Sequence, residues 1–422
     1  MPTDVAIVGA GYVGLPLAVE FGRAGRSVVC IEADARRVDA IGRGESYVED
    51  VDSAALAEVV SDGRVAATGE YAALGGAEAI LICLPTPLST NREPDLTVLT
   101  GATWQIARHL RRGQLVVLES TTYPGTTREV LLPILESGGL RGGADFHLAM
   151  SPERIDPGRT DYTVRTTPKV VGGLTDACRE RAIELYGACV DTLVPVSSCD
   201  AAELTKLLEN IFRSVNIALV NELAMLCHRM GLNVWEVVDA AATKPYGFMP
   251  FSPGPGLGGH CLPIDPFYLS WKAREYDFPV EFIELAGKVN QNMPYHCAER
   301  VALALNDVQK PVSGSSVLVL GVSYKGGVGD LRESPALKLM ELLREQGAEI
   351  AYHDPFVASL REHGFELDSQ PLTDEVLAAA DIVAVVTAHP GVDHGRVAEG
   401  APLVIDFRNA VPAADDGRVV KL

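Results

Sequence analysis

Basic residues are scarce in this chain. Lysine and arginine total 36 against 56 aspartates and glutamates, a formal net charge of −20. A surface of that sign repels polyphosphates, so no nucleic-acid partner is expected. Anions can be held only by local cations or helix N-termini. Cysteine is equally thin: eight in 422 residues, with no C-x-x-C pair. This excludes a disulfide framework, the paired-cysteine zinc patterns and a thioredoxin-like motif, and no metal is expected. No apolar run approaches the ~18 residues of a membrane helix, so no membrane partner is expected. The first apolar run begins at Val5 with no basic stretch before it. With unpaired cysteines, that points to a cytoplasmic protein.

What is present is a large apolar fraction, 47%, in a chain long enough for two or three domains. Residues 4–8 read as a buried strand, and residues 15–24 have helical spacing. Between them lie Gly9, Gly11, Tyr12, Val13 and Gly14. A second strand, residues 27–31, ends at Glu32. This is a dinucleotide fingerprint in its required context. Gly9 makes the tight turn, Gly11 lets a pyrophosphate reach the helix N-terminus, and Gly14 lets helix and strand pack. Glu32 is placed for the ribose hydroxyls and repels a 2′-phosphate, which favours NAD over NADP. Arg37 is the local counterweight.

Further strands at 65–68, 79–83, 115–118, 147–150, 170–173 and 193–196 extend an α/β sheet. Ligands of such sheets lie at the strands' carboxyl ends. Thr86, Thr121 and the pair Glu153-Arg154 follow three of those ends. Each alone would pass for turn or N-cap chemistry; together on one sheet they suggest a site. A helical pattern over residues 200–230 carries a broad apolar face suited to a connector and a dimer surface. Lys206 and Asn210 share one face of it at i, i+4 spacing. Taken singly, Lys206 would be a lysine snorkelling at the helix edge.

Residues 252–265, SPGPGLGGHCLPID, place four glycines before Cys261 and Asp265. Glycine serves where backbone must approach a ligand closely. A cysteine there, with a carboxylate near, is a candidate nucleophile, although a lone cysteine is more often a buried small hydrophobe. Helices are expected at 234–242, 266–276 and 282–292. A second α/β unit begins near 314, with strands at 316–320, 349–352, 382–387 and 403–405. Ser334-Pro335 reads as N-cap and N1 of a helix. This unit has no proper GxGxxG, but Lys325 and Arg408 stand at strand ends, suited to a phosphorylated ligand. The expected class is α/β: two Rossmann-like doubly wound domains joined by a long central helix and a helical dimerisation domain. The expected limits are 1–197 for NAD binding, 198–308 for the helical domain with the cysteine loop, and 314–422 for the second α/β domain and its phosphorylated ligand.

The stretches GAGYVGLPLA, LPTPL, ESTTYPGTT, SPERIDPG, ELTKLLEN, GPGLGGHCLPID, SYKGGVGDLRESPA and IDFRN together resemble the UDP-glucose/GDP-mannose dehydrogenase family, over essentially the whole chain. The wording around SPER, KPYGFMPF and the cysteine loop looks most like the branch acting on UDP-N-acetylhexosamines. The resemblance implies an NAD-dependent, four-electron oxidation of a UDP-sugar C6 alcohol to a uronate, as in polysaccharide biosynthesis, by a homodimer. It makes Cys261 the nucleophile that forms a thiohemiacetal and then a thioester. It gives Asp265 and Lys206 a water that serves as the first base, and Glu153 or Asp265 the base role in hydrolysis. Lys206 and Asn210 would stabilise oxyanions, and Thr121 would hold water or nicotinamide. Glu153, Arg154, Lys244, Gly256, Leu257, Gly258, Tyr324, Lys325 and Arg408 would meet the substrate, and Thr86 and Arg332 the cofactor. Two positions depart from the UDP-glucose branch. Ile264 stands where that branch has a lysine, and Pro157 where it has a second glutamate. UDP- or dTDP-glucose is therefore the alternative substrate. A non-catalytic NAD-binding protein of the same fold is the remote one.

Overall fold

The structure is a computed structural model that describes residues 3–89, 91–155, 161–259, 262–413 and 416–422. The chain forms two compact units. One comprises Met1–Glu209 and Phe267–Phe278, the other Asn210–Pro266 and Pro279–Leu422.

The first unit holds an eight-stranded sheet: β1 (Thr3–Val8), β2 (Val28–Ile31), β3 (Val65–Thr68), β4 (Ala77–Ile82), β5 (Leu115–Leu118), β6 (His147–Met150), β7 (Lys169–Gly173) and β8 (Leu193–Pro195). Their order is β3-β2-β1-β4-β5-β6-β7-β8. The central strands are apolar over most of their length because both faces are covered. Val5, Ile7, Leu115 and Val117 enter one core, while Ala6, Val8, Val116 and Leu118 enter the other. Strand order reverses between β1 and β4, which opens a crevice at their carboxyl ends.

Two strands, β7 and its parallel neighbour β8, run against expectation. β7 is antiparallel to β6, with Ala149 opposite Gly173 and Met150 opposite Gly172. A parallel return needs a long crossover, usually a helix. Among the described residues between Met150 and Lys169 there is none. The reversal puts the first residue of β7, Lys169, at the carboxyl edge of the sheet.

The second unit holds a parallel sheet of β9 (Ser316–Leu320), β10 (Glu349–His353), β13 (Ile382–Val385), β14 (Val404–Asp406) and β15 (Val419–Lys421), in the order β10-β9-β13-β14-β15. A small hairpin pairs β11 (Ser359–Leu360) with β12 (Leu367–Asp368). β11, β12 and β15 were not expected; they are two or three residues long. Ser334 caps the helix Pro335–Glu345 by accepting from the Ala336 N–H, with Pro335 in the first turn. The helix expected at 282–292 runs from Glu281 to Asp307, with Pro294 inside it. A proline in a helix interior costs roughly 3 kcal/mol. Here Met293, Cys297, Val301 and Leu305 are all fully buried in the unit's core. At about 1.5–3 kcal/mol per large apolar side chain, that burial outweighs the proline.

The helix Cys199–Met230 is continuous over 32 residues and passes from the first unit into the second. Cys199 and Ala202 join a core of the first, and Val220, Ala224 and Cys227 join the core of the second. No helix among the described residues is long and apolar enough to cross a membrane.

Candidate active site

The turn after β1 is shaped by contact. Gly9 has φ +94°, and a Cβ on Gly14 would lie 1.9 Å from the Gly9 carbonyl oxygen. A Cβ on Gly11 would meet nothing within 4 Å, so the space beside it is open. No side chain caps the helix Gly14–Arg23, whose N-cap is Val13. Leu15 donates its N–H to the Gly11 carbonyl at 3.1 Å and Pro16 has none, which leaves the Gly14 N–H to meet an anion. Tyr12, beside it, is exposed. Glu32 lies at the end of β2, with Oε2 accepting from the Ala10 N–H and Oε1 from the Asp34 N–H, both at 3.1 Å. Arg37 lies 3.8 Å from Glu32 and over the Tyr47 ring. Its charge is answered by the acid it was expected to oppose. Open glycine turn, uncapped helix and carboxylate fit a dinucleotide.

The loops after β4 and β5 are tied together. The Thr86 hydroxyl donates to the Thr121 carbonyl at 2.7 Å, and the Leu84 N–H donates to the Ser120 hydroxyl at 3.0 Å. The Tyr268 phenol donates to the carbonyls of Thr86 and Pro87. Glu203, on the long helix, pins the next turn. Its carboxylate accepts from the Gly125 N–H at 2.6 Å and from the N–H and hydroxyl of Thr127 at 2.8 and 2.7 Å. Burial pushes the Glu203 pKa up to about 7, against those hydrogen bonds. Sequence reading missed Glu203, since a glutamate near a helix start looks like a surface residue.

After β6, Glu153 folds back on its own backbone. Oε1 accepts from the N–H groups of Arg154 and Ile155 at 2.6 Å, and Oε2 lies 4.0 Å from the Lys169 ammonium. Arg154 pairs with Glu209 at 2.7 Å and donates to the Pro168 carbonyl. Lys169 makes a 2.6 Å ion pair with the fully buried Glu119, which also takes the Tyr186 phenol. Lys169 and Glu119 were also missed. Lys206 is only 8% exposed yet makes no ion pair or hydrogen bond among the described residues.

In the second unit, the Asn210 amide donates to the Asp265 carboxylate at 2.5 Å, and both are buried. A helix turn apart, Lys206 and Asn210 share the helix Cys199–Met230 as expected. Cys261 lies outside the described residues, with His260 and Pro157. The glycine loop before it is closely packed. A Cβ on Gly254 would lie 2.6 Å from an Arg408 guanidinium nitrogen, and one on Gly258 would lie 2.5 Å from Tyr324 Cβ. The Gly254 N–H donates to Asn221, Asn221 to Asn290, and Asn290 to the Ser214 carbonyl. This buried amide chain was not foreseen either. A Cβ on Gly256 would meet the Asn290 carbonyl at 3.3 Å, and Leu257 beside it is half-buried. The loop therefore lies against Tyr324 and Arg408. Burial lowers the Arg408 pKa from its ordinary value, and its Nε donates to the Val386 carbonyl. Arg332 is forked onto Asp330 at 2.6–3.0 Å. Lys325 is half-buried in the loop after β9. Lys244 is exposed, its ammonium 5.3 Å above the Tyr246 ring.

The acid that ends β10, Asp354, is consumed internally. It accepts from the N–H groups of Val322 and Ser323, the Ser323 hydroxyl and His389 Nε2. His389 Nδ1 accepts from the Gly327 N–H, which assigns the ring's one proton to Nε2. Burial opposes the Asp354 charge, but the His389 hydrogen bond and the backbone donors hold its pKa at about 2.

Comparison with known proteins matches this arrangement. The NAD binding domain of the UDP-glucose/GDP-mannose dehydrogenase family matches residues 3–190, its central domain 200–292 and its UDP binding domain 318–413. A UDP-N-acetyl-D-mannosamine dehydrogenase from Pyrococcus horikoshii is 36% identical, over 92% of this chain and 89% of that protein. A UDP-N-acetyl-D-glucosamine 6-dehydrogenase from Pseudomonas aeruginosa is 35% identical, over 91% and 90%. A solved structure of UDP-D-ManNAc dehydrogenase from P. horikoshii superposes with TM-score 0.91 at 34% identity, over 99% of each chain. The chain therefore belongs to the UDP-glucose/GDP-mannose dehydrogenase family and is an NAD-dependent oxidoreductase acting on the CH–OH group of a nucleotide sugar.

Proposed function

We propose that the protein is a UDP-N-acetylhexosamine 6-dehydrogenase that carries the C6 alcohol to the carboxylate in two oxidations. The observation that carries this reading is the Asn210–Asp265 contact, one helix turn from the buried Lys206, which has no partner among the described residues. An unpaired buried ammonium is expensive. It is useful where negative charge develops on a reacting oxygen. Relatives named for UDP-N-acetyl-D-mannosamine and UDP-N-acetyl-D-glucosamine support the sugar class.

The Gly9–Gly14 turn and Glu32 would hold NAD, which when bound would supply the two-electron acceptor for each oxidation. The remaining chemistry belongs to side chains. A water held by Lys206 and Asp265 takes the proton of the C6 hydroxyl. The Cys261 thiolate adds to the resulting aldehyde to give a thiohemiacetal, and the second oxidation converts this to a thioester. Water, deprotonated by Glu153 or Asp265, attacks the thioester and releases the thiol. The Asn210 amide and Lys206 stabilise the oxyanions. Tyr324, Lys325 and Arg408 bind the diphosphate end, and the glycine loop holds the sugar. Leu204, Leu208, Leu219 and Leu226, exposed on the long helix, support a homodimer. Its place of work is the cytoplasm.

The test is a panel of UDP-N-acetylglucosamine, UDP-N-acetylmannosamine, UDP-glucose and dTDP-glucose with NAD. An N-acetylhexosamine is expected to turn over fastest, with two NADH formed per sugar. Preference for a glucose nucleotide would overturn the sugar assignment, and one NADH per sugar the four-electron reaction. Cys261→Ala is expected to form no acid.

A further inference from the structure

Lys169 belongs to no motif read from the sequence, yet it opens β7 at the carboxyl edge of the sheet because β7 is reversed. Its ammonium is almost wholly buried, with a side-chain exposure of 7%. Three features fix it there. Glu119 Oε2 lies 2.6 Å away, Glu119 is completely buried, and Glu119 also receives the Tyr186 phenol. The Tyr186 ring lies beneath the ammonium at 5.0 Å. A charge held this way cannot swing out to solvent.

That fixed charge faces Glu153. The distance of 4.0 Å to Glu153 Oε2 is too long for a hydrogen bond but short for attraction between charges. The other carboxylate oxygen, Oε1, is already taken by the N–H groups of Arg154 and Ile155. The Glu153 N–H donates to the Glu119 carbonyl at 3.3 Å, so the two segments are tied through backbone as well. A small cleft lined by Glu153, Arg154, Ile155, Thr167 and Lys169 opens beside the pair. Among the described residues Oε2 accepts no hydrogen bond, so it is the oxygen left for a proton from outside.

We propose that Lys169, anchored by Glu119 and Tyr186, is a positioning residue that holds the Glu153 carboxylate with Oε2 presented as the base. Burial works against the ammonium, but Glu119 and Glu153 outweigh it and raise the Lys169 pKa, so the charge persists through the working range. This inference rests on the base role proposed above for Glu153.

The experiment is a mutant cycle in the full-length enzyme. Removing Lys169 alone would strand a buried carboxylate and risk unfolding. The pair is therefore removed together, as Glu119→Gln/Lys169→Met, which leaves no charge behind. Should that protein not fold, Glu119→Gln/Lys169→Gln keeps hydrogen bonding and takes its place. Each is measured with and without Glu153→Gln. With Glu153 present, kcat is expected to fall about 10-fold or more with the KM for NAD within about twofold. In the Glu153→Gln background the same removal is expected to cost less than about twofold, since the residue to be positioned is gone. Equal losses in both backgrounds would mean the pair merely braces the strand ends, and would overturn the inference alone. So would an unchanged kcat in the pair variant. A Glu153→Gln enzyme as fast as its parent would instead sink the base role of Glu153, and this inference with it.

Discussion

Glu203 and Asn210 lie seven residues apart on one helix and answer to different demands. Glu203 is a carboxyl forced into the interior to collect three donors of the Gly125–Thr127 turn. Its pKa is raised from 4.5 to about 7, so the folded state holds its proton more tightly than the unfolded state. The associated stability is complete below about pH 4.5 and is lost as pH rises through about 7. Glu203→Gln has no such dependence at this position. The urea midpoint of the parent, relative to that variant, is expected to fall between pH 5 and pH 8, by the equivalent of about 1–3 kcal/mol. A constant offset across that range would refute the assignment. Asn210→Ala removes a donor and leaves Asp265 buried without it. If Asn210 stabilises an oxyanion, kcat should drop by roughly 10²–10³ in an NADH assay. A drop under tenfold would return the residue to a packing role.

At the scale of the strand, turn and helix, two glycines in one motif should behave differently. A methyl on Gly14 must displace the Gly9 carbonyl, 1.9 Å away. Gly14→Ala is therefore expected to lose about 1–3 kcal/mol of stability in a melting experiment. A methyl on Gly11 enters open space. Gly11→Ala should melt within ~2 °C of the parent yet raise the NAD KM at least ~10-fold, because the methyl occupies the space a pyrophosphate needs. If both variants lost stability alike, the open space would be an illusion. Most elements were legible because apolar strands and amphipathic helices leave a period in the sequence. Strand direction leaves none. β7 reads as apolar whichever way it runs, so nothing in the sequence puts Lys169 at the carboxyl edge of the sheet. The helix expected at 282–292 runs on past Pro294, since local propensity cannot see the core that retains it. Glu203, Asn221 and Asn290 escaped because a buried polar side chain and an exposed one look alike until their partners are known. The residues picked out early were those whose chemistry is rare for their surroundings, such as glycines in a run or an acid closing a strand.

At the scale of the whole molecule, the long helix leaves a row of large apolar side chains uncovered: Leu204, Leu208, Phe212, Leu219, Leu223 and Leu226. Their spacing of three, four and seven residues puts them along one side of the helix. If a second copy covers them, Leu208→Glu, at a position now 62% exposed, should cost the monomer little. It should shift sedimentation toward half the parent mass. An unchanged mass would move the proposed interface elsewhere.

The two sheets share one plan, yet they end their second strands in different bargains. Glu32 is anchored by two backbone amides at the mouth of an open turn. Asp354 answers five donors at once, four of them on one oxygen, including the imidazole that also receives the Gly327 amide. The later acid has become a rivet: it fastens the loop bearing Lys325 and has nothing left to offer a ribose. A single architecture, used twice, can thus carry two different cargoes without competition between them.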